Sequence, residues 1–160
     1  MYIDIKQVMT DIENGAYKYI GSGSARKVFD LKNGFVIKIA KNVRGIAQNI
    51  AEYDISNDNY SNFFAKVYYI SDDYKYLIME KATVIKNESE FLRYFKINNK
   101  KELVNNQYIK EIHDKYNLVW VDLYKVSSWG KINGNIVLID YGYTKEVYNK
   151  YYNNRRKKKS

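Results

Sequence analysis

The chain has 160 residues, 46% of them apolar and 28% charged, which fits one globular domain and argues against disorder over most of its length. It holds no cysteine and a single histidine, His113, which excludes disulfides, thiolate zinc sites, thiol nucleophiles and multi-histidine metal clusters. Lys and Arg outnumber Asp and Glu to give a formal charge of +9, an excess that attracts polyanions such as nucleotide phosphates, nucleic acid or an acidic protein.

The opening residues lack the basic and then apolar blocks of a secretion signal, and no apolar run approaches the roughly 20 residues of a membrane span. A cytoplasmic protein without a membrane partner is therefore expected. Ile3, Ile5, Val8, Met9 and Ile12 are spaced for a short amphipathic helix within residues 1–16. Tyr17 to Ile20 reads as a strand, Gly21-Ser22-Gly23-Ser24 as a flexible turn, and Ala25 to Leu31 as the returning strand. Asn33-Gly34, a strong hairpin signal, leads into a third strand over Phe35 to Ala40. Lys38 lies inside that apolar run, where an unpaired ammonium is costly, so a carboxylate is expected to approach it; the alternative is an edge-strand lysine that snorkels to water. The following segment, Val43 to Ile55, places Val43, Ile46, Ala47, Ile50, Ala51 and Ile55 at helical spacing and contains one glutamate, Glu52. An ion pair between Lys38 and Glu52 is the prediction.

Phe63 to Ser71 and Lys75 to Ala82 are predicted strands joined by a turn at Asp72-Asp73. Helices are predicted at Glu88 to Lys96 and Lys101 to Tyr116, the second carrying His113 as a packing or capping residue. Asn117 to Val121 reads as a short strand ending on Asp122, and a hairpin turning at Asn133-Gly134 leads to Asn135 to Ile139, an apolar run that stops on Asp140. An ionised Asp beside a buried strand needs a cation or hydrogen-bond donors to face. Arg155 to Lys159 form a run of five like charges, expected to be a solvated tail or a docking arm for nucleic acid or a partner.

Taken together, these motifs resemble the protein-kinase-like fold over residues 17–143. Ile20 to Val28 is similar to the family's G-x-G-x-x-G-x-V loop, with Arg26 at the third glycine. Phe35-Val36-Ile37-Lys38 is similar to V-A-I-K, Val121-Asp122-Leu123 stands at H-R-D-L, and Asp140-Tyr141-Gly142 stands at D-F-G. The resemblance implies an α+β fold: an antiparallel-sheet N-terminal lobe with one helix at about residues 1–80, and a reduced, mainly helical C-terminal lobe at about 83–154. The two lobes form one domain, and a basic tail follows it.

The resemblance also implies ATP and Mg2+ as cofactors. Backbone N–H groups from Ser22 to Ala25, in the loop that includes Gly21, Gly23 and Ser24, would cover the phosphates, with Lys38 held on them by Glu52. Adenine would rest against Ile20, Val28 and Met79, its edge bonded to backbone near Glu80 and Ala82. Asp140 would ligate magnesium and Asp122 would take the acceptor's proton. Where the family has a metal-binding Asn, this chain has Ser127, or Ser128 if the loop is one residue longer. Arg26 would crowd the phosphates or add a cation to them. No A-P-E segment follows Gly142, and Trp120 and Val121 replace His-Arg, which removes the usual receptor for a regulatory phosphate. The expected function is phosphoryl transfer to a protein hydroxyl; the alternative is a catalytically impaired pseudokinase that binds and inhibits or scaffolds a host protein.

Overall fold

The computed structural model describes residues 2–58 and 61–153. The basic run from Arg155 to Lys159 lies outside them.

Five strands form an antiparallel sheet: β1 (Lys18–Ser22), β2 (Arg26–Asp30), β3 (Phe35–Ala40), β4 (Val67–Ile70) and β5 (Tyr76–Glu80), in the order β1-β2-β3-β5-β4. Alternation along β3 divides the sheet into two chemically different faces. Ile37, with Leu31 and Ile78, lies under Ile3, Ile5, Val8 and Ile12 of the N-terminal segment and its helix α1 (Ile5–Glu13), which Asp4 caps by accepting from Gln7 N–H. Val36 and Lys38 belong to the opposite face, where they pair in register with Met79 and Leu77 of β5, and Lys38 with Val28 of β2. One face thus completes an apolar layer and the other presents a cation to the rest of the molecule.

Helix α2 (Val43–Ser56) crosses that second face, started by Asn42, whose side chain accepts from the N–H groups of Arg44 and Gly45. Its buried residues are Gly45, Gln48, Asn49, Glu52, Ile55 and Ser56. This corrects the apolar stripe expected from periodicity: Val43 is 62% exposed, and of that stripe Ile55 alone is fully buried. The helix is turned so that polar residues face inward, because Glu52 has two cations to meet there.

The remaining chain builds the other wall. It contains β6 (Thr83–Val84), α3 (Glu88–Phe95), α4 (Gln107–Tyr116), α5 (Trp120–Leu123), β7 (Trp129–Ile132), β8 (Asn135–Leu138) and α6 (Lys145–Tyr151), with β6, β7 and β8 as a small antiparallel sheet. Asn133 and Gly134 both adopt positive φ between paired Ile132 and Asn135, the two-residue turn their types favour. Among the described residues no helix is long and apolar enough to cross a membrane.

Three predicted elements differ from the observed ones. The segment Phe63 to Ser71 opens with a 3₁₀ turn at Ser61–Phe63, and its strand begins at Val67, whose N–H donates to Ser56 Oγ. The helix predicted over Lys101 to Tyr116 is broken: a 3₁₀ stretch, Lys100–Asn105, ends where the Asn106 side chain caps α4 by accepting from Tyr108 and Ile109 N–H. Asn117 to Val121 is not a strand. Leu118 makes one isolated bridge to Thr144, and the chain then coils into α5, which carries Asp122. Buried Trp129 secures that turn by donating Nε1–H to Leu123 O at 2.9 Å, and it packs edge-on against Phe91 and Phe95. His113 is buried behind the same turn, its ring stacked on Trp120 at 4.3 Å.

Candidate functional site

A cleft of about 980 Å³ opens between the Lys38 face of the sheet and the wall formed by α5 and the residues after β8. The glycine hairpin contributes Ile20, Gly21, Ser22, Gly23 and Ser24; β2, β3 and β5 contribute Val28, Lys38, Met79 and Glu80, and Ala82 follows. Asp122, Ser127 and Asp140 line it from the other wall. Glu52 lies behind Lys38 with no exposure at all. The residues singled out in the sequence therefore converge on one cavity from segments more than a hundred positions apart.

Glu52 is the hub of an ionic network. Lys38 Nζ donates to both of its oxygens at 2.9 Å and also to Ile139 O at 2.6 Å, the carbonyl just before Asp140. Arg26 grips the same carboxylate with two N–H groups, Nη1 to Oε2 at 2.8 Å and Nη2 to Oε1 at 2.9 Å. Backbone N–H groups of Tyr141 and Gly142 donate to Oε1 at 3.1 and 3.2 Å. Burial alone would raise the Glu52 pKa, but the charges and hydrogen bonds of Arg26 and Lys38 outweigh it and hold the group at about 2. Lys38 is pulled below its ordinary value by burial and by repulsion from Arg26, against the attraction of Glu52.

Arg26, expected to crowd the phosphates or add a cation to them, lines the cleft with its guanidinium engaged by acids inside the protein. Its position in β2 turns it inward, 7% exposed, with Nη1 also donating to Asn49 Oδ1 at 3.2 Å and Nη2 to Asp140 Oδ1 at 2.9 Å. Burial would lower its pKa, yet Glu52 and Asp140 raise it, so its charge is fixed. Asp140 in turn is not buried; its side chain is 56% exposed to the cleft. The cation demanded by the apolar strand before it comes from the hairpin.

The hairpin tip is braced. Lys41 Nζ donates to Gly23 O at 2.6 Å and to Ser22 Oγ at 3.1 Å, and Asn42 Nδ2 donates to Ser24 O. These bonds use two carbonyls and a hydroxyl oxygen and leave the Ser24 and Ala25 N–H groups without partners among the described residues. Along the inner edge, the N–H groups of Glu80 and Lys81 are engaged by Lys66 O and Gly34 O, whereas the Ala82 N–H has no backbone partner among the described residues.

Asp122 accepts from Lys125 Nζ at 2.6 Å. Burial raises its pKa, and Asp140 adds to this, in opposition to Lys125. Lys125, Tyr143 and Tyr152 also line the cleft, and sequence reasoning missed all three. Lys125 could have been found as a basic residue three positions after Asp122 in a helical turn. Tyr152 carried no such signal: α6 folds back on α2, where Gln48 Nε2 donates to Tyr152 OH at 2.9 Å and Arg44 stands 5.1 Å from its ring. Burial and nearby Tyr152 and Asp122 push Tyr143 up to about 12, so it is neutral at physiological pH.

Close approach of Gly142 to α2 completes the assembly. A Cβ on this residue would lie 2.5 Å from the Gln48 backbone oxygen and 2.9 Å from its Cα, atoms that cannot rotate away. Gly142→Ala is expected to lower stability by about 1–3 kcal/mol, read as a shift of the urea midpoint at unchanged slope. An unshifted midpoint would show that the helix and this loop are not in contact.

No protein-family model matches the chain, and neither does any curated protein. The class defined by fold and site is a mixed α+β protein with an antiparallel sheet and a cleft lined by both acidic and basic groups.

Proposed function

We propose that the chain is a kinase-like phosphotransferase that binds ATP with magnesium and passes phosphate to a hydroxyl of a protein. The observation that carries this reading is the Lys38–Glu52 pair, whose ammonium also reaches the carbonyl before Asp140 in a cleft shared with Asp122. A buried lysine fixed by a carboxylate is a point charge aimed at phosphate, and Glu52 keeps it from wandering. The unpartnered N–H groups of Ser24 and Ala25 suit phosphate oxygens. Ile20, Val28 and Met79 offer an apolar slot for adenine, with Ala82 N–H at its edge.

Among the described residues no three His, Cys, Asp or Glu side chains cluster as a metal cage. The cleft-facing carboxylate of Asp140 fits magnesium, which keeps waters and is held by one or two carboxylates with substrate phosphates. Asp140 would hold it; bound with ATP, the ion supplies positive charge at the phosphate oxygens. Asp122, raised by burial, is suited to orient an incoming hydroxyl and hold its proton, with Lys125 beside it.

In a thermal-shift titration ATP is expected to raise the melting temperature, more with magnesium than without, and radiolabelled ATP is expected to label a protein acceptor or the chain itself. Absence of any ATP-dependent shift would overturn the reading. A second reading, a pseudokinase that scaffolds or inhibits a partner protein, draws on the neutral hydroxyl of Ser127 where the family has a metal-binding amide. An ATP shift with no labelling under any divalent ion would favour it.

A further inference from the structure

Arg26 Nη2 sits between two carboxylates, 2.9 Å from Glu52 Oε1 and 2.9 Å from Asp140 Oδ1. A cation in contact with an oxygen of each of two acids occupies the kind of position a bridging metal would take. The guanidinium is held there by more than these bonds: Nη1 is shared by Glu52 Oε2 and Asn49 Oδ1, and Asn49 is itself tied through Nδ2 to the carbonyls of Tyr74 and Lys75 at 2.8 and 3.2 Å. A planar fork anchored on three side chains is pre-organised and does not give way easily. Asp140 Oδ2, in contrast, bonds to no described residue, and the side chain is open to the cleft.

We propose that Arg26 is a resident cation of this site. It fills the interior position between Glu52 and Asp140, which confines any divalent ion to Asp140 Oδ2, on the cleft side. Repulsion from the guanidinium disfavours a divalent ion at Oδ1, so the carboxylate is available through one oxygen. One oxygen cannot retain a divalent ion against water, and the other ligands must then arrive with the phosphates of a nucleotide. Metal uptake is accordingly coupled to nucleotide, and Arg26 is a positioning residue for Asp140 that does not itself touch the reacting atoms. The nucleotide half of this inference rests on the function proposed above; the resident-cation half does not.

The two halves separate experimentally. With manganese chloride alone at millimolar concentration, the wild-type protein is expected to show no change in melting temperature. Arg26→Ala, which frees Asp140 Oδ1 beside the already open Oδ2 and leaves Lys38 paired with Glu52, is expected to melt lower in metal-free buffer and to gain about 3 °C or more on adding manganese. Manganese shifting the wild-type protein alone, or leaving a folded Arg26→Ala unshifted, would overturn the resident-cation assignment.

The second variant, Asp140→Asn, keeps an oxygen for Arg26 and replaces the outward oxygen with an amide. Its fold is expected to be retained. ATP with magnesium should then bind no more tightly than ATP alone, whereas in the wild type magnesium should strengthen ATP binding by roughly tenfold. Magnesium enhancement surviving in Asp140→Asn would overturn the metal's placement on Oδ2. Wild-type protein unshifted by ATP in any metal would remove the nucleotide half together with the proposed function, and the manganese result on Arg26→Ala would still decide the other half.

Discussion

Glu52→Ala is expected to destabilise the protein by about 3–5 kcal/mol, the characteristic loss when one partner of a buried ion pair is deleted. The cause is the charge left behind. Lys38 and Arg26, 5% and 7% exposed, would face each other without their shared carboxylate, and the N–H groups of Tyr141 and Gly142 would lose their acceptor. For a chain of this size such a loss lowers the melting temperature by roughly 6–20 °C. The pH dependence carries the same signature. Because the folded-state pKa is about 2, below an unfolded value near 4.5, the Glu52 contribution is fully present above pH 4.5 and is lost as pH falls toward 2. Wild-type stability measured by urea unfolding should fall through that window; the Glu52→Ala protein should lack this component. Equal acid sensitivity in the two proteins would mean that the network is not ionic in solution.

The second large effect concerns chemistry. Under the proposed function, Asp122→Asn is expected to slow phosphoryl transfer by about 10²–10⁴-fold, the range a general base contributes, while leaving ATP affinity within about threefold. Its amide still accepts from Lys125, and removing a charge that burial disfavours should leave the unfolding midpoint unchanged or higher. Since burial raises the Asp122 pKa, the acid limb of the rate profile should lie above the ordinary carboxylate value of about 3.9, with activity lost as pH falls through it. Single-turnover labelling alongside an ATP titration separates the two quantities. Full activity in the Asn protein would take Asp122 out of the chemistry.

Much of the site was legible because its residues interrupt otherwise regular patterns. Lys38 stands out in an apolar strand, Gly21 and Gly23 mark a hairpin, and Asp140 ends an aliphatic run. Each exception has a physical cost that a neighbour must offset, and for Lys38 that neighbour is Glu52. The same logic applies to Arg26, although its place in a phosphate-loop pattern points to the phosphates rather than to Glu52. Strand alternation puts Arg26 on the same side of β2 as Val28, whose partner in register is Lys38.

Helix α2 shows where hydrophobic counting fails. Its apolar residues are spaced well enough to suggest a stripe, yet Gln48, Asn49 and Glu52 are the side chains turned inward. Periodicity ranks residues by transfer free energy and is blind to partners contributed by distant strands. The run from Asn117 to Val121 failed for a different reason: five residues are too few to distinguish strand from helical turn, and the anchoring bond from Trp129 lies outside the window. Tyr152 was out of reach for any local argument, since its place depends on a helix returning over a hundred positions to Gln48.

The long reach of Glu52 has a consequence during synthesis. Two of its donors, the amides of Tyr141 and Gly142, follow it by 89 and 90 residues. At a ribosomal pace of about 5–20 residues per second, the carboxylate waits roughly 5–20 s before these two amides have been made. Through that interval the nascent chain has a helix that already presents its acid to two cations but lacks the loop that closes over it. The final docking step is therefore set by the arrival of β8 and of the two amides that follow it.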